Sequence, residues 1–393
     1  MTSARTVLYL HTTSEVGGSD VSLTRLVEGL DPARYRAIVV LPSDGPLVAR
    51  LRAAGADVRI LASLWKLTSR RGWIYLLGFV LNFPRAVWQL RTLIRREQVS
   101  IVHTNTIHNL YGAPAARLAG TPHVWHIREI VWQKGWLRRL EIWMARQWST
   151  RIIVTSEAVA AMFGEPQARP RQLTMVANGI ETDRFHPGDA PEVRAALGAT
   201  DDEWLVGLVC RLDVWKGVEV FIDAAARVMA RRADVRFVVV GGPIIGLEAY
   251  ARTLESRAEA AGLSGRLTFT HWTYGPDRMP DVHRALDVLV LASTEAEPFG
   301  LVVIEAMASG RPVIATAQGG PLDIVVEGET GVLIPPRDAD AMADAILAMT
   351  TDRVRAKQMG TAGRARAVAH YSSDAYRRGV FAVYDAIPLR ERP

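Results

Sequence analysis

Short runs of β-branched and aliphatic residues alternate with stretches of helical periodicity along almost the whole chain. In the first half the runs are "TVLYLH", "RAIVVL", "DVRIL", "SIVHTN", "HVWHI", "RIIVTS" and "LTMVANG". In the second they are "WLVGLVC", "VRFVVVGG", "RLTFTHW", "DVLVLAS", "RPVIATA" and "TGVLIPP". Strands that alternate with helical segments predict parallel sheets joined by crossover helices. Between the halves lies "NGIETDRFHPGDAPEV", rich in Gly, Pro and charge and without apolar periodicity, which reads as an interdomain linker. The expected architecture is α/β, with two Rossmann-like doubly wound parallel-sheet domains, 1–186 and 187–372. Open parallel sheets bind ligands beyond the carboxyl ends of their strands, so a cleft between the domains is the expected site.

One stretch departs from this rhythm. In "GWIYLLGFVLNFPRAVWQL", Trp73, Leu76, Leu77, Val80 and Leu81 follow the spacing of one helix face. The apolar run from Trp73 to Leu81 is far shorter than the roughly 20 residues that cross a bilayer. No acidic residue lies between Asp57 and Glu97, whereas Arg59, Lys66, Arg70, Arg71, Arg85, Arg91, Arg95 and Arg96 all do. Basic residues, tryptophans and one apolar face fit a helix lying on an anionic membrane surface. They also fit a core-facing helix with a solvated rim. A second basic, Trp-rich stretch, "WQKGWLRRLEIWMARQW", favours the membrane, so residues 59–96 and 132–151 form the expected contact surface. Nucleic acid is disfavoured, because no helix-turn-helix, zinc or RNP pattern accompanies the charge.

Composition narrows the class. A chain of 393 residues exceeds one typical core, and an apolar fraction of 49% with ordinary charge content indicates a folded protein. The net charge of +6 matters mainly through its concentration in the first domain. A lone cysteine, Cys210, gives no intrachain disulfide framework and suits a reducing compartment. "MTSARTVLYLHTTSEVGG" runs straight into a strand without the pattern of a signal peptide. The expected location is cytoplasmic, peripheral on the inner face of the plasma membrane.

The chemistry concentrates in two places. In "EPFGLVVIEAMASG", Pro298 and Gly300 break the preceding structure, and Leu301 to Ser309 reads as a helix stopped at Gly310. A helix start attracts anions through its unpartnered N–H groups. Glu297 falls just before it and Glu305 about one turn inside. Even fully helical, their separation spans only roughly 12 Å at 1.5 Å per residue, comparable to a nucleotide diphosphate sugar from ribose to hexose. An ordinary capped helix with acidic residues near its favourable end also fits. "CRLDVWKG" places Arg211 and Lys216 after the first strand of the second domain, where two cations can neutralise a departing diphosphate.

These residues resemble the signatures of the retaining family-four glycosyltransferases of the GT-B fold: E-x7-E as Glu297 and Glu305, R-x4-K as Arg211 and Lys216, with "EAMASGRPVIATAQGG" and "EGETGVLIPP" around them. The first half is similar in outline through "EVGGSD", "VWHIRE" and "NGIETDRFHP". The resemblance implies that Glu297 binds hydroxyls of the donor sugar and Glu305 those of the ribose. Arg211 and Lys216 would hold the diphosphate with the backbone of Phe299, Gly300 and Leu301. Gly17 and Gly18 would close over the phosphates, His126 would face the donor sugar, and Trp272 and Thr273 would meet the nucleobase. The tail, about 373–393, resembles the terminal helix that crosses back to the first domain.

The implied reaction is transfer of a sugar from a nucleotide-diphosphate-sugar to a glycan or lipid-linked acceptor hydroxyl with retention, in polysaccharide, lipopolysaccharide or glycolipid assembly. No cofactor or metal is expected. "RDADAM" matches a metal-binding D-x-D at Asp338 and Asp340, but it opens a helical run, where N-capping explains the aspartates. Three rivals are a sugar-nucleotide 2-epimerase of the same fold, a catalytically silent sugar-nucleotide-binding protein, and a nicotinamide dehydrogenase. The last is disfavoured because no G-x-G-x-x-G follows the first strand.

Overall fold

The structure, a computed structural model, describes residues 4–15, 18–65, 72–131 and 135–388. Internal contacts divide the chain into a first unit, Met1–Gly179 with Ser373–Pro393, and a second unit, Ile180–Ser372.

The first unit holds a parallel sheet of β1 (Arg5–Leu10), β2 (Tyr35–Leu41), β3 (Asp57–Ile60), β4 (Ile101–Thr104), β5 (His123–Ile127), β6 (Arg151–Val154) and β7 (Leu173–Met175). Its order is β3-β2-β1-β4-β5-β6-β7, with Leu10 beside Thr104 in register where the order reverses. Alternation along β1 divides the core: Val7 and Tyr9 join the cluster on one face, Leu8 and Leu10 that on the other. Because both faces are covered, the strands read as continuous apolar runs. The helix Ser373–Asp385 covers one face, burying Tyr376, Val380, Val383 and Tyr384 with Val7 and Tyr9.

The second unit repeats the design with β8 (Trp204–Val209), β9 (Val235–Val240), β10 (Leu267–Phe269), β11 (Val288–Leu291), β12 (Val313–Thr316) and β13 (Gly331–Ile334). The parallel order β10-β9-β8-β11-β12-β13 again reverses beside the first strand, between β8 and β11. Loops that follow these two strands therefore open at the place where doubly wound sheets take their ligands.

The helix Gly72–Arg96 has two apolar faces. Phe79, Ala86, Val87, Leu90 and Ile94 pack into the core. Trp73 (74% exposed), Ile74, Leu77, Val80 and Leu81 (71%) face outward, with Trp88 further along. The stripe that the sequence leaves open between membrane and core is thus not the core-facing one, because a second stripe, offset around the helix, already meets the sheet. Among the described residues no helix is long and apolar enough to cross a membrane.

Three histidines are buried in β4 and β5: His103, His123 and His126. Burial alone brings the His123 imidazole down to about 3, from an ordinary value near 6.5. His103 and His126 also fall well below that value, first through burial and then through the nearby Arg128 charge. The unfolded chain takes up these protons near pH 6.5 and the native chain does not. Stability is therefore full above that pH and is lost as pH falls toward the native values, with a slope of at most about 1.4 kcal/mol per pH unit for each histidine. We expect the urea unfolding midpoint to drop between pH 6.5 and 5, above the range of most carboxylates. A flat midpoint across that window would contradict neutral burial.

Candidate active site

In the second unit, the loop after β8 is shaped by its neighbour after β9. Cys210 N donates to Val240 O and Leu212 N to Gly242 O, both at 2.9 Å. Asp213 accepts from Trp215 Nε1 at 2.9 Å, and a short turn brings Lys216 to Gly217. Gly217 has φ +69°, and a Cβ there would lie 2.0 Å from the Ala292 carbonyl oxygen. Only glycine meets both conditions. The close approach joins the loops after β8 and β11, with Thr294 N donating to Trp215 O at 2.8 Å.

The loop after β11 is held from its other side too. Gly320 N donates to Glu297 O at 2.7 Å, and Gln318 Nε2 to Ser293 O at 2.8 Å. Cβ atoms at Gly319 and Gly320 would each sit 2.2 Å from the carbonyl oxygens of Glu297 and Phe299. So clasped, Glu297 meets Lys216: Lys216 Nζ donates to its two carboxylate oxygens at 3.1 and 2.8 Å. Ser293 Oγ donates to the same carboxylate at 2.8 Å, and the ammonium lies 3.9 Å from the Trp215 ring centroid. Both side chains of the pair are largely buried.

Phe299 is buried against Tyr371, and Gly300, at φ +103°, opens the helix Leu301–Ala308. No side chain caps the start of this helix. Glu305 follows one turn on, 3.4 Å from Nε2 of His283, whose ring is wholly buried beside Phe185. Arg211 is exposed and makes no side-chain ion pair or hydrogen bond among the described residues. Trp272 is half-exposed after β10 and donates from Nε1 to Pro243 O at 3.1 Å. Thr273 Oγ1 donates to Thr270 O. Leu212 bridges Pro243, so the Trp272 loop adjoins the Arg211 loop. Asp338 caps the helix Ala339–Thr351 by accepting from Ala341 N at 2.9 Å, and Asp340 pairs with Arg227, which fits the capping reading of "RDADAM".

Two further sequence candidates lie in the first unit. Gly17 falls outside the described residues, and Gly18 begins the helix Gly18–Glu28. His126 is wholly buried in β5, with its ring centroid 5.3 Å from that of His103. Its Nδ1 lies 3.3 Å from Nη2 of Arg128, and its Nε2 has no hydrogen-bond partner among the described residues. Arg128 also reaches Asn105, Asn178 and Tyr376. The sequence reading missed Arg128, Ser293 and His283. "VWHIRE" holds the arginine, but nothing local in it announces partners from other strands.

Comparison with known proteins places the chain in a family. Residues 189–366 match the model described as glycosyl transferases group 1, and residues 16–184 match Glycosyltransferase Family 4. The chain is 33% identical to the lipopolysaccharide core biosynthesis mannosyltransferase LpsB of Rhizobium meliloti, over 66% of this chain and 70% of the relative. It is 39% identical to the D-inositol 3-phosphate glycosyltransferase of Nocardia farcinica over 51% of this chain, but spans only 43% of that relative. Among solved structures, Anabaena HepE in complex with UDP superposes with TM-score 0.83 at 24% identity, over 97% of this chain and 100% of that one. Sucrose-phosphate synthase from Thermosynechococcus elongatus gives 0.79 at 24% identity, over 97% and 98%. These two likenesses speak to the fold. The chain belongs to the family-four glycosyltransferases and has the GT-B fold, with two Rossmann-like parallel-sheet domains.

Proposed function

We propose that the chain transfers a sugar from a nucleotide-diphosphate-sugar to an acceptor hydroxyl with retention of anomeric configuration, at an anionic membrane surface, in glycolipid, lipopolysaccharide or polysaccharide assembly. The observation that carries the reading is the Lys216–Glu297 pair beside the uncapped helix start at Gly300. Lys216 has three N–H donors, two of them on Glu297, which leaves one for a phosphate oxygen. Arg211 adds a second cation from the same loop, unpaired among the described residues. Together with the N–H groups around Phe299 to Leu301, they stabilise charge on the departing diphosphate. Glu297 retains acceptor capacity for a sugar hydroxyl, and Glu305, one turn along, suits the ribose. Trp272 offers a half-exposed ring to the base. Proton transfer from acceptor to the departing phosphate on one face accounts for retention, with the protein supplying position and charge.

The membrane part rests on the outward face of the helix Gly72–Arg96. Trp73, Ile74, Leu77, Val80, Leu81 and Trp88 are exposed there, and Arg85, Arg95 and Arg96 are exposed on the same helix. The helix Trp136–Trp148 exposes Trp136, Trp143 and Arg139 as well. Apolar side chains ringed by arginine complement an anionic lipid surface.

A screen of UDP-, GDP- and ADP-sugars should find one donor that raises the thermal midpoint, and NMR of the product should show the donor's anomeric configuration. An inverted product would refute retention. Because Arg211 is exposed and unpaired, Arg211→Ala should leave the melting temperature unchanged yet weaken donor binding about 10- to 100-fold, as for a lost charge-assisted hydrogen bond. Unchanged donor affinity would remove Arg211 from the diphosphate site. With cations in place of a divalent ion, EDTA should not slow turnover, and an EDTA-sensitive rate restored by Mg²⁺ would argue the opposite. Replacing Trp73 and Leu77 together by Ser should weaken binding to phosphatidylglycerol vesicles on the order of tenfold or more, with nucleotide affinity preserved. Vesicle binding equal to wild type would exclude this surface.

A further inference from the structure

Arg128 follows β5 at the C-terminal edge of the first sheet, and it is only 7% exposed. Its Nε donates to Asn105 Oδ1 at 2.9 Å, Nη1 to Asn178 Oδ1, and Nη2 to the Tyr376 hydroxyl and to His126 Nδ1 at 3.3 Å. These groups come from the ends of β4 and β7, from the C-terminal helix and from β5 itself. All four are neutral. Glu129, the adjacent acid, directs its carboxylate to the backbone N–H groups of Ile107 and Arg128 at 3.3 and 3.2 Å. Asp20 is separated from Arg128 by two links, His11 and Asn105. No carboxylate among the described residues pairs with this guanidinium.

Such a charge is unusual in a protein interior, where an ion without a counter-ion loses its hydration uncompensated. Less deeply buried arginines in this chain do find acids: Arg194 lies 3.0 Å from Asp287 and Arg236 2.9 Å from Glu203. A guanidinium has five N–H groups, and four are engaged here, so one on Nη1 remains. The position matters as much as the charge. β4 and β1 flank the point where the strand order reverses, and ligands of doubly wound sheets gather at its C-terminal edge.

His126 stands differently. Its Nδ1 accepts from Arg128, which places the ring proton on Nε2 and disfavours a second proton on the ring. Its ring lies between His103 and Tyr376, with centroids 5.3 and 6.2 Å away, and shows no exposed surface.

We propose that Arg128 is the cationic element of a ligand site in the first unit, taking an oxyanion (phosphate or carboxylate), and that His126 positions that guanidinium and makes no contact with the oxyanion itself. This deepens the transferase reading, because the oxyanion could belong either to the donor's diphosphate or to the acceptor. The test follows the Arg128 Nε–H resonance of the wild-type protein, identified by its loss in Arg128→Lys, during titration with inorganic phosphate, UDP and GDP. The expected result is a saturable shift with phosphate, together with phosphate binding at least tenfold weaker in Arg128→Met and within threefold of wild type in His126→Asn. If UDP or GDP moves the same resonance, the oxyanion is the donor's; if phosphate alone moves it, the oxyanion belongs to the acceptor. An unmoved resonance overturns the proposal even if Arg128→Met fails to fold. Loss of binding in His126→Asn equal to that in a folded Arg128→Met also overturns it. Failure of the donor reading looks different: no response of the protein to any sugar nucleotide, with the Arg128 response to phosphate intact.

Discussion

The second unit depends on how closely three loops can approach without side chains between them. The stretch of residues 292–300 is held against Gly217 on one side and against Gly319 and Gly320 on the other, where a single methyl group would overlap a carbonyl oxygen. This contact is a steric constraint with an electrostatic result. It brings a carboxylate from the end of β11 onto an ammonium from the end of β8, residues 81 positions apart in sequence. It also fixes Gly300 in the left-handed region, so the next helix begins with no side chain over its N–H groups. A bulkier residue at any of the three glycines would move the pair and the helix tip together, because both hang from the same loop.

The two units share one strand order but handle charge in opposite ways. In the second, the buried cation is compensated inside the protein: Lys216 has Glu297, and Glu297 has Ser293. Opening that pair for a ligand exchanges one ionic partner for another, so the change in desolvation is small. In the first, Arg128 is held by amides, a phenol and an imidazole that supply geometry without charge. The histidines around it are kept neutral by burial and by the arginine itself, so they cannot repel it. The first unit thus keeps an uncompensated positive charge at its strand edge, and the second keeps a balanced one.

Legibility in the sequence follows the range of the interactions. The strands were readable because parallel strands covered on both faces are continuous apolar runs, and β1 to β13 each coincide with a run that the pattern marks, β1 and β2 starting one residue earlier. The helix Leu301–Ala308 was readable from Pro298, Gly300 and Gly310, all local signals. The residue types of the candidate site were visible, but the pairing of Lys216 with Glu297 was not, since it depends on strand order. Arg128 was out of reach for the same reason: Asn105, Asn178 and Tyr376 lie 23, 50 and 248 positions from it. In the helix Gly72–Arg96, periodicity located one apolar stripe correctly and could not say which way it faced, because spacing carries no direction.

The outward stripe is not needed for folding. The helix is already anchored by Phe79, Val87, Leu90 and Ile94, each nearly or fully buried, so its folding does not require Trp73, Ile74, Leu77 or Leu81. Left in water, such a patch promotes self-association, and polar residues at those positions would keep the inner contacts intact. Folding alone therefore favours polar residues there. Apolar residues stand there all the same, and no acidic residue lies from 58 to 96. A stripe that is redundant for the core and exposed to water is the feature on which the proposed contact with an anionic surface rests.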